Sequence, residues 1–297
     1  MLRRSEQRVS KCEGATPSGR LEETKSYTLR SVQLPVDSEV RERIDRLEVP
    51  FGKSGVDPYG ISKPHLGFFM SMLKVLYRSY FSVECHGIDY VPKRGRAMLV
   101  GNHSGGVAVD GAMVIASMLL DKEPPRLAQG MVEKFISKMP FGSLMSDRVG
   151  QLTGLPEHAI RLLEDDRLLM VFPEGARGTA KLWKERYSLV DFGTGFLRLA
   201  LRTQSPIIPT AVLGAGDAMP TIKNAYKLGK LMGVPYLPVT PYLFPIPLPV
   251  KIEIVYGEPM TFDGDGTEED DVIEAWVGQV KSKIARLIVE GRRRRRG

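Results

Sequence analysis

The pattern that most constrains this chain is an alternation of short apolar runs with helical periodicity from residue 82 onward. Continuous apolar runs indicate buried strands, and apolar residues spaced three or four apart indicate helices. Strands alternating with helices predict an α/β layer sandwich, here a mixed sheet flanked by helices. We predict strands at 97–101, 126–130, 168–172, 206–214 and 251–257, the last half-solvated, and helices at 110–120, 132–138, 156–165, 192–201 and 268–290.

Composition divides the chain into four parts. Residues 1–36 are polar and charged and are predicted to be disordered, because ordering them would bury little apolar surface. Residues 37–64 are predicted to be a linker with a short helix near 38–47. Residues 65–290 form the main domain, and residues 291–297 form a polyarginine tail.

The charge balance argues against nucleic acid as a partner. Without the five arginines at 292–296, the formal net charge of +7 falls to +2. A basic run alone gives only unspecific phosphate affinity, so we expect no nucleic-acid function. The two cysteines, Cys12 and Cys85, cannot build a disulfide framework, which favours a reducing compartment.

Two apolar segments leave membrane contact open, although no apolar run is long enough to predict a spanning helix. The helix predicted over 68–81 is either a core helix or an interfacial helix whose Lys74 and Arg78 meet lipid phosphates. The segment 232–250 holds six prolines, which disfavour a helix or a central strand. It is either a buried extended loop or an apolar rim that contacts lipid.

Several kinds of site are absent from the sequence. It contains no phosphate-binding P-loop, no dinucleotide fingerprint and no G-x-S-x-G nucleophile elbow. Its histidines and cysteines show no metal-ligand spacing. We therefore expect no metal and no bound cofactor.

Two loops that each follow a predicted buried strand carry the candidate chemistry. In the first, His103 leaves the strand and Asp110 opens the next helix. A histidine held by a carboxylate is a good general base, although an aspartate at a helix start is also a common cap. In the second, Glu174, Gly175 and Arg177 gather at a turn. Arginine there suits a phosphate group, unless Arg177 simply pairs with Glu174.

Together the two loops resemble the glycerol-phosphate and lysophospholipid acyltransferases. That family carries N-H-x4-D after one strand and F-P-E-G-[TA]-R some seventy residues later. Here His103 and Glu174 are 71 residues apart. The block 142–148, which ends in an arginine, and the I-P-type strand at 207–212 also match. The resemblance covers roughly residues 65 to 260 and makes 65–290 an acyltransferase domain.

The resemblance implies transfer of a fatty acyl group from acyl-CoA or acyl carrier protein to a hydroxyl of a glycerolipid. The acceptor would be lysophosphatidate, glycerol phosphate or a mono- or diacylglycerol. His103 and Asp110 would be catalytic. The residues implied to bind substrate are Glu174, Gly175, Arg177, Arg148 and Asn102.

One departure from the family pattern concerns the spacing. Six residues, not four, separate His103 from Asp110. This lengthened turn is similar to that of monoacylglycerol- and diacylglycerol-acyltransferase-like proteins, whose acceptor need not carry a phosphate. The alternative is a catalytically decayed, peripheral membrane-binding protein on the same fold. In either case we expect the cytoplasmic face of a membrane with anionic lipids, held peripherally or monotopically with help from the helix near 68–81.

Overall fold

The computed structural model of the protein describes residues 34–104, 109–132, 146–242 and 246–296. The strands are β1 (Glu84–His86), β2 (Ala97–Gly101), β3 (Ala128–Val132), β4 (Leu152–Thr153), β5 (Leu168–Val171), β6 (Ile207–Leu213), β7 (Lys223–Ala225), β8 (Leu237–Val239) and β9 (Glu253–Tyr256). The helices are α1 (Ser38–Asp45), α2 (Lys63–Val75), α3 (Val109–Leu120), α4 (Pro156–Glu164), α5 (Gly175–Thr179), α6 (Gly195–Arg202), α7 (Ala215–Ala218), α8 (Tyr226–Leu231) and α9 (Asp270–Arg294).

Seven of these strands form one sheet in the order β1-β9-β6-β2-β5-β3-β4. Strand β2 pairs in parallel with both β6 and β5, so that Leu99 lies opposite Ile208 and Met170. Strand β9 runs antiparallel to β6, which makes the sheet mixed as predicted. The parallel strands β2, β5 and β6 therefore end at one side of the sheet, called here the carboxyl edge.

The core lies on both faces of this sheet. Leu99 of β2 belongs to an apolar cluster with α1, α2 and α3, and the next residue, Val100, belongs to a second cluster with α4, α6 and α9. Because both faces are covered, the central strands are buried along their whole length. Segment 37–64 adds Val40 and Ile61 to the first cluster.

Strand β9 corrects one sequence prediction. Alternation of polar and apolar residues over 251–257 predicts a half-solvated strand, yet all four residues of β9 are buried. Ile254 packs into the first cluster and Val255 into the second. The polar residue Glu253 is buried as well, beside the guanidinium groups of Arg294 and Arg295 at 3.8 and 3.9 Å. A carboxylate paired with arginines is thus buried at a position that the sequence pattern predicts to face solvent.

Helix α2 covers most of the segment predicted over 68–81 and continues as a π-helical turn over Leu76–Tyr80. Phe81, which follows the turn, is buried in the first cluster. Lys74 pairs with Asp37 at 2.7 Å, so this lysine holds the start of α1 to α2. The inner face of α2 is therefore a core face.

The other basic residue of this segment also forms an ion pair within the protein. Arg78 pairs with Asp121 at 2.8 Å, at the end of α3. On the outer face Met72, Val75 and Leu76 are exposed. No helix within the described ranges combines the length and apolar character that crossing a bilayer requires.

The remaining segments differ in how far the structure describes them. Strand β8, inside the proline-rich segment, pairs antiparallel with β7 to form a separate two-stranded sheet. Residues 243–245 of that segment and most of the helix predicted at 132–138 lie outside the described residues. Helix α9 extends to Arg294, so the first part of the arginine run is its last turn.

Candidate active site

His103 and Asp110 meet at the carboxyl edge, directly beyond β2. His103 Nδ1 lies 3.0 Å from Asp110 Oδ2, and both side chains are buried. The imidazole stacks on the Phe172 ring, with the centroids 4.1 Å apart and the planes 15° from parallel. Phe172 follows β5, so neighbouring parallel strands supply the histidine and the ring that supports it.

Asp110 is held in its ionised form by its surroundings. It accepts hydrogen bonds from the backbone N–H of Ser104 at 3.1 Å and of Gly111 at 2.8 Å. Burial acts to raise the pKa of this carboxyl, but attraction to His103 and the hydrogen bonds bring the pKa below its ordinary value. A carboxylate with these contacts fixes one tautomer of its histidine.

Asn102 fixes the loop to the neighbouring strand. The Val212 N–H of β6 donates to Asn102 Oδ1 at 2.8 Å, and Asn102 Nδ2 donates to the Val212 carbonyl at 3.2 Å. The Ser104 hydroxyl also donates to the Val212 carbonyl, at 3.2 Å. The Ser104 hydroxyl is therefore turned toward β6.

Glu174 joins the two loops of the site. Its Oε1 accepts from the His103 N–H at 2.9 Å, and its Oε2 accepts from the Val190 N–H at 2.8 Å. Lys181 Nζ lies 2.5 Å from Glu174 Oε2 and donates to the His103 carbonyl at 2.6 Å. The buried ion pair thus holds the backbone of the histidine from both its N–H and its carbonyl.

Lys181 is a residue of the site that lies outside both sequence motifs. A lysine in a polar loop is expected at the surface, but Lys181 is only 3% exposed. Burial lowers the pKa of its ammonium, and attraction to Glu174 opposes that change only in part. A buried carboxylate such as Glu174 requires a cation nearby. The sequence therefore indicates that some cation pairs with Glu174, but it does not identify Lys181 as that cation.

Gly178 makes the close approach of the two loops possible. A Cβ at this position would stand 2.7 Å from the Cβ of His103 and 2.7 Å from the Cβ of Glu174. Real Cβ atoms do not come this close, so only glycine fits between the two side chains. The second loop therefore packs directly against the histidine.

The other predicted substrate-binding residues are more scattered. Arg177 is exposed and donates to the Asp191 carbonyl at 3.0 Å. The ion-pair partner of Glu174 is Lys181 and not Arg177. The Gly175 N–H donates to the Phe172 carbonyl at 3.0 Å and is used within the turn.

Arg148 lies near the start of α2. Its carbonyl accepts from the Ser62 N–H. Burial of the His65 imidazole lowers the pKa of that group, and the positive charge of Arg148 lowers it further. Among the described residues no contact joins Arg148 to His103 or Glu174. Gly105, Gly106 and residues 142–145 lie outside the described residues.

The arrangement can remove a proton from a bound group. With Nδ1 directed at Asp110, the other ring nitrogen of His103 can accept a proton, and the carboxylate can stabilise the imidazolium that results. In the part of the chain that the structure describes, His, Cys, Asp and Glu side chains form no cluster suited to a metal ion.

The chain is similar to a solved structure and to proteins of other organisms. A 1-acyl-sn-glycerophosphate acyltransferase from Thermotoga maritima has a similar fold, with a TM-score of 0.52 at 17% identity, over 77% of this chain and 82% of that one. An uncharacterized protein of Mycobacterium tuberculosis is 33% identical over 231 residues, which are 74% of this chain and 64% of the relative. The chain thus spans less than two thirds of that relative's length.

A more distant relative has a descriptive name. The human DGAT1/2-independent enzyme synthesizing storage lipids is 26% identical over 188 residues, which are 63% of this chain and 56% of that protein. The family model described as Acyltransferase matches residues 82–213, a segment that contains both loops of the site. This segment of the chain, with both loops of the site, therefore belongs to the acyltransferase family.

Proposed function

We propose that the protein transfers a fatty acyl group from a thioester donor, acyl-CoA or acyl carrier protein, to a hydroxyl of a glycerolipid. The observation that carries the proposal is the buried pair of His103 Nδ1 and Asp110 Oδ2, 3.0 Å apart beyond a central parallel strand. Active sites of open α/β sheets gather at the carboxyl ends of strands.

In this mechanism His103 is the general base and Asp110 holds it. The free ring nitrogen of His103 takes the hydroxyl proton as the oxygen attacks the thioester carbon. The tetrahedral oxyanion then collapses, the carbon–sulfur bond breaks, and the proton passes from the imidazolium to the departing thiolate. No acyl-enzyme is required, because the hydroxyl attacks the donor directly. Glu174 and Lys181 contribute by holding the His103 backbone in place.

A lipid acceptor is supported by apolar surface beside the site. Leu231 and Met232 are 83% and 60% exposed at the end of α8, next to the exposed Lys227 and Lys230. The β7–β8 hairpin that carries α8 is bound to the second loop, because Asn224 Nδ2 donates to the Ala180 carbonyl at 2.6 Å. Apolar side chains with lysines beside them suit the boundary of an anionic bilayer.

We propose on this basis that the protein works at the surface of a membrane, on its cytoplasmic face. Leu231→Ser together with Met232→Ser should weaken co-sedimentation with anionic vesicles at every salt concentration. The matched control is Val272→Ser with Val289→Ser, two exposed valines of α9. Equal binding by both double variants would contradict the proposed contact.

The activity is tested by an acceptor panel with one acyl-CoA, in which free thiol is measured with time. The panel compares lysophosphatidate, glycerol phosphate, monoacylglycerol and diacylglycerol. We expect thiol release that requires one of these acceptors. With a phosphorylated acceptor, Arg177→Ala should raise KM more than it lowers kcat, because it removes a binding contact. Release with none of the acceptors would favour the decayed, membrane-binding alternative.

A further inference from the structure

The arginine run 292–296 lies at the same edge of the sheet as His103, although it comes from the far end of the chain. Gly291 packs on Leu213, the last residue of β6, so closely that a Cβ there would stand 2.8 Å from Leu213 Cδ1. Arg295 donates to the Lys251 carbonyl at 2.8 Å, just before β9. Val212 of strand β6 is hydrogen-bonded to Asn102 in the loop that carries His103, called here the catalytic loop. Helix α9 therefore ends beside that loop.

Arg186 connects the arginine run to the catalytic loop. A Cβ at Gly216 would stand 2.5 Å from the Ser104 carbonyl oxygen and 2.6 Å from Arg186 Cβ, so only a glycine separates the two. The Arg186 guanidinium lies over the Trp183 ring at 4.1 Å and the Tyr187 ring at 4.7 Å.

Arg292 lies over the same tyrosine ring, with its guanidinium 4.8 Å from the Tyr187 centroid. Stacked arginine and aromatic side chains therefore lie between the Ser104 loop and the end of α9. We call Arg186 and Arg292 to Arg296 the arginine cluster.

The carboxylates nearby do not neutralise this cluster. Asp217 lies 2.5 Å from Arg186 and 3.9 Å from Arg295. Glu253 pairs with Arg294 and Arg295. Among the described residues, no carboxylate lies within ion-pair distance of the arginines at 292, 293 and 296.

A helix C-terminus favours cations only weakly, and like charges three or four positions apart on a helix repel each other. The surplus positive charge therefore points to an anionic ligand. Arginine binds phosphate through paired, charge-assisted hydrogen bonds. The Trp183 indole, 47% exposed, offers an aromatic surface on which a base can stack.

We propose that the arginine cluster binds the nucleotide end of coenzyme A, with its pyrophosphate and ribose phosphate on the arginines and its adenine against Trp183. The inference rests on the proposed function and extends it, because it assigns a site to the acyl donor. The flexible pantetheine arm then places the thioester at His103. The same phosphate chemistry is present in anionic lipid headgroups, and the experiment separates the two.

The test measures coenzyme A binding to the full chain by calorimetry, without turnover. The variant replaces Arg292, Arg293 and Arg296 with glutamine and keeps the two arginines that pair with Glu253. The matched control replaces three exposed arginines on other elements, Arg41, Arg161 and Arg202, with the same loss of charge.

We expect the cluster variant to bind coenzyme A with an affinity at least about tenfold lower than that of the unmodified protein. The affinity of the control variant should stay within about twofold of the unmodified protein. Coenzyme A lacking its ribose phosphate should bind the unmodified protein more weakly than coenzyme A does. That difference should shrink in the cluster variant.

Four results would overturn the assignment. They are unchanged coenzyme A affinity in the cluster variant, an equal loss in the control variant, no coenzyme A binding by the unmodified protein, and loss of phosphatidylglycerol vesicle binding alone. His103→Ala separates this inference from the proposed function, since it should lower turnover by roughly 10²–10⁴-fold and leave coenzyme A binding intact. Binding without any acceptor-dependent turnover would contradict the proposed function and leave the donor site supported.

Discussion

At the scale of single residues, the site depends on a buried ion pair of which only Glu174 belongs to a sequence motif. Glu174 and Lys181 are both almost fully buried, and between them they bond the N–H and the carbonyl of His103. Removing one partner of such a pair leaves an uncompensated charge away from water, which is far more costly than losing a surface pair. The position of His103 therefore depends on Lys181, which contacts its backbone and not its imidazole ring.

Lys181→Met tests this dependence through stability. We expect it to lower the free energy of unfolding in denaturant by about 3–5 kcal/mol, because Glu174 is left buried and unpaired. Lys184→Met, at an exposed lysine three positions away, should change it by less than about 0.5 kcal/mol. Adding Glu174→Gln to Lys181→Met should recover part of the loss. Equal effects at the two lysines would show that the pair contributes no more than a surface contact.

Asp110 leads to a prediction about acid stability. Its pKa is lowered in the folded protein, so it stabilises the fold fully above its unfolded pKa of roughly 4. That contribution is lost as the pH falls through the folded pKa. Between about pH 5 and 3 the stability advantage over Asp110→Asn should shrink. Asp263→Asn, at an exposed aspartate, is the control. An advantage over Asp110→Asn that grows toward acid would contradict the cause given for the pKa.

At the scale of elements, α2 and the π-helical turn that follows it have two different faces. Leu73, Tyr77 and Phe81 are buried in the core, whereas Met72, Val75 and Leu76 are exposed. An apolar sequence such as 68–81 does not say which of its residues face the interior, because nearly every position is apolar. The tertiary contacts decide this, through the ion pairs that Lys74 forms with the start of α1 and Arg78 with the end of α3.

Phe81→Ala and Met72→Ala should separate these two faces in denaturant unfolding. Phe81→Ala should cost about 3–5 kcal/mol, as for a buried phenylalanine, because it leaves a cavity. Met72→Ala should stay within about 0.5 kcal/mol, as for other exposed substitutions. If the two variants were equally stable, Phe81 would not be a core residue.

Most of the elements were predictable from sequence, because apolar runs and helical spacing report burial directly. Strand β2 matches its prediction in both bounds, and β5 and β6 match theirs to within one residue at either end. The prediction that strand β9 is half-exposed is wrong, because its alternating pattern places Glu253 on a solvent face. The arginine partners of Glu253 are 41 and 42 residues away in the chain. Long-range pairing of buried charge is the physical information that local patterns lack.

At the scale of the whole molecule, sheet topology assembles the site from distant segments. Parallel pairing of β2 with β5 brings His103 beside Phe172 and Glu174, and pairing with β6 anchors Asn102. The sequence motifs alone indicated that the two loops belong together. The arrival of the α9 arginines at the same edge could not be inferred, because it depends on how a terminal helix packs across β6.

The most direct test of the account is a double-mutant cycle on acyl transfer with His103→Ala, Asp110→Ala and both together. Each single variant should lower kcat/KM by roughly 10²–10⁴-fold, the usual contribution of a general base. The double variant should be no slower than His103→Ala, because the two residues act as one unit. Coenzyme A binding serves as the control for folding. A His103→Ala protein that keeps more than about a tenth of the activity, or losses that simply multiply, would contradict a His103–Asp110 general base.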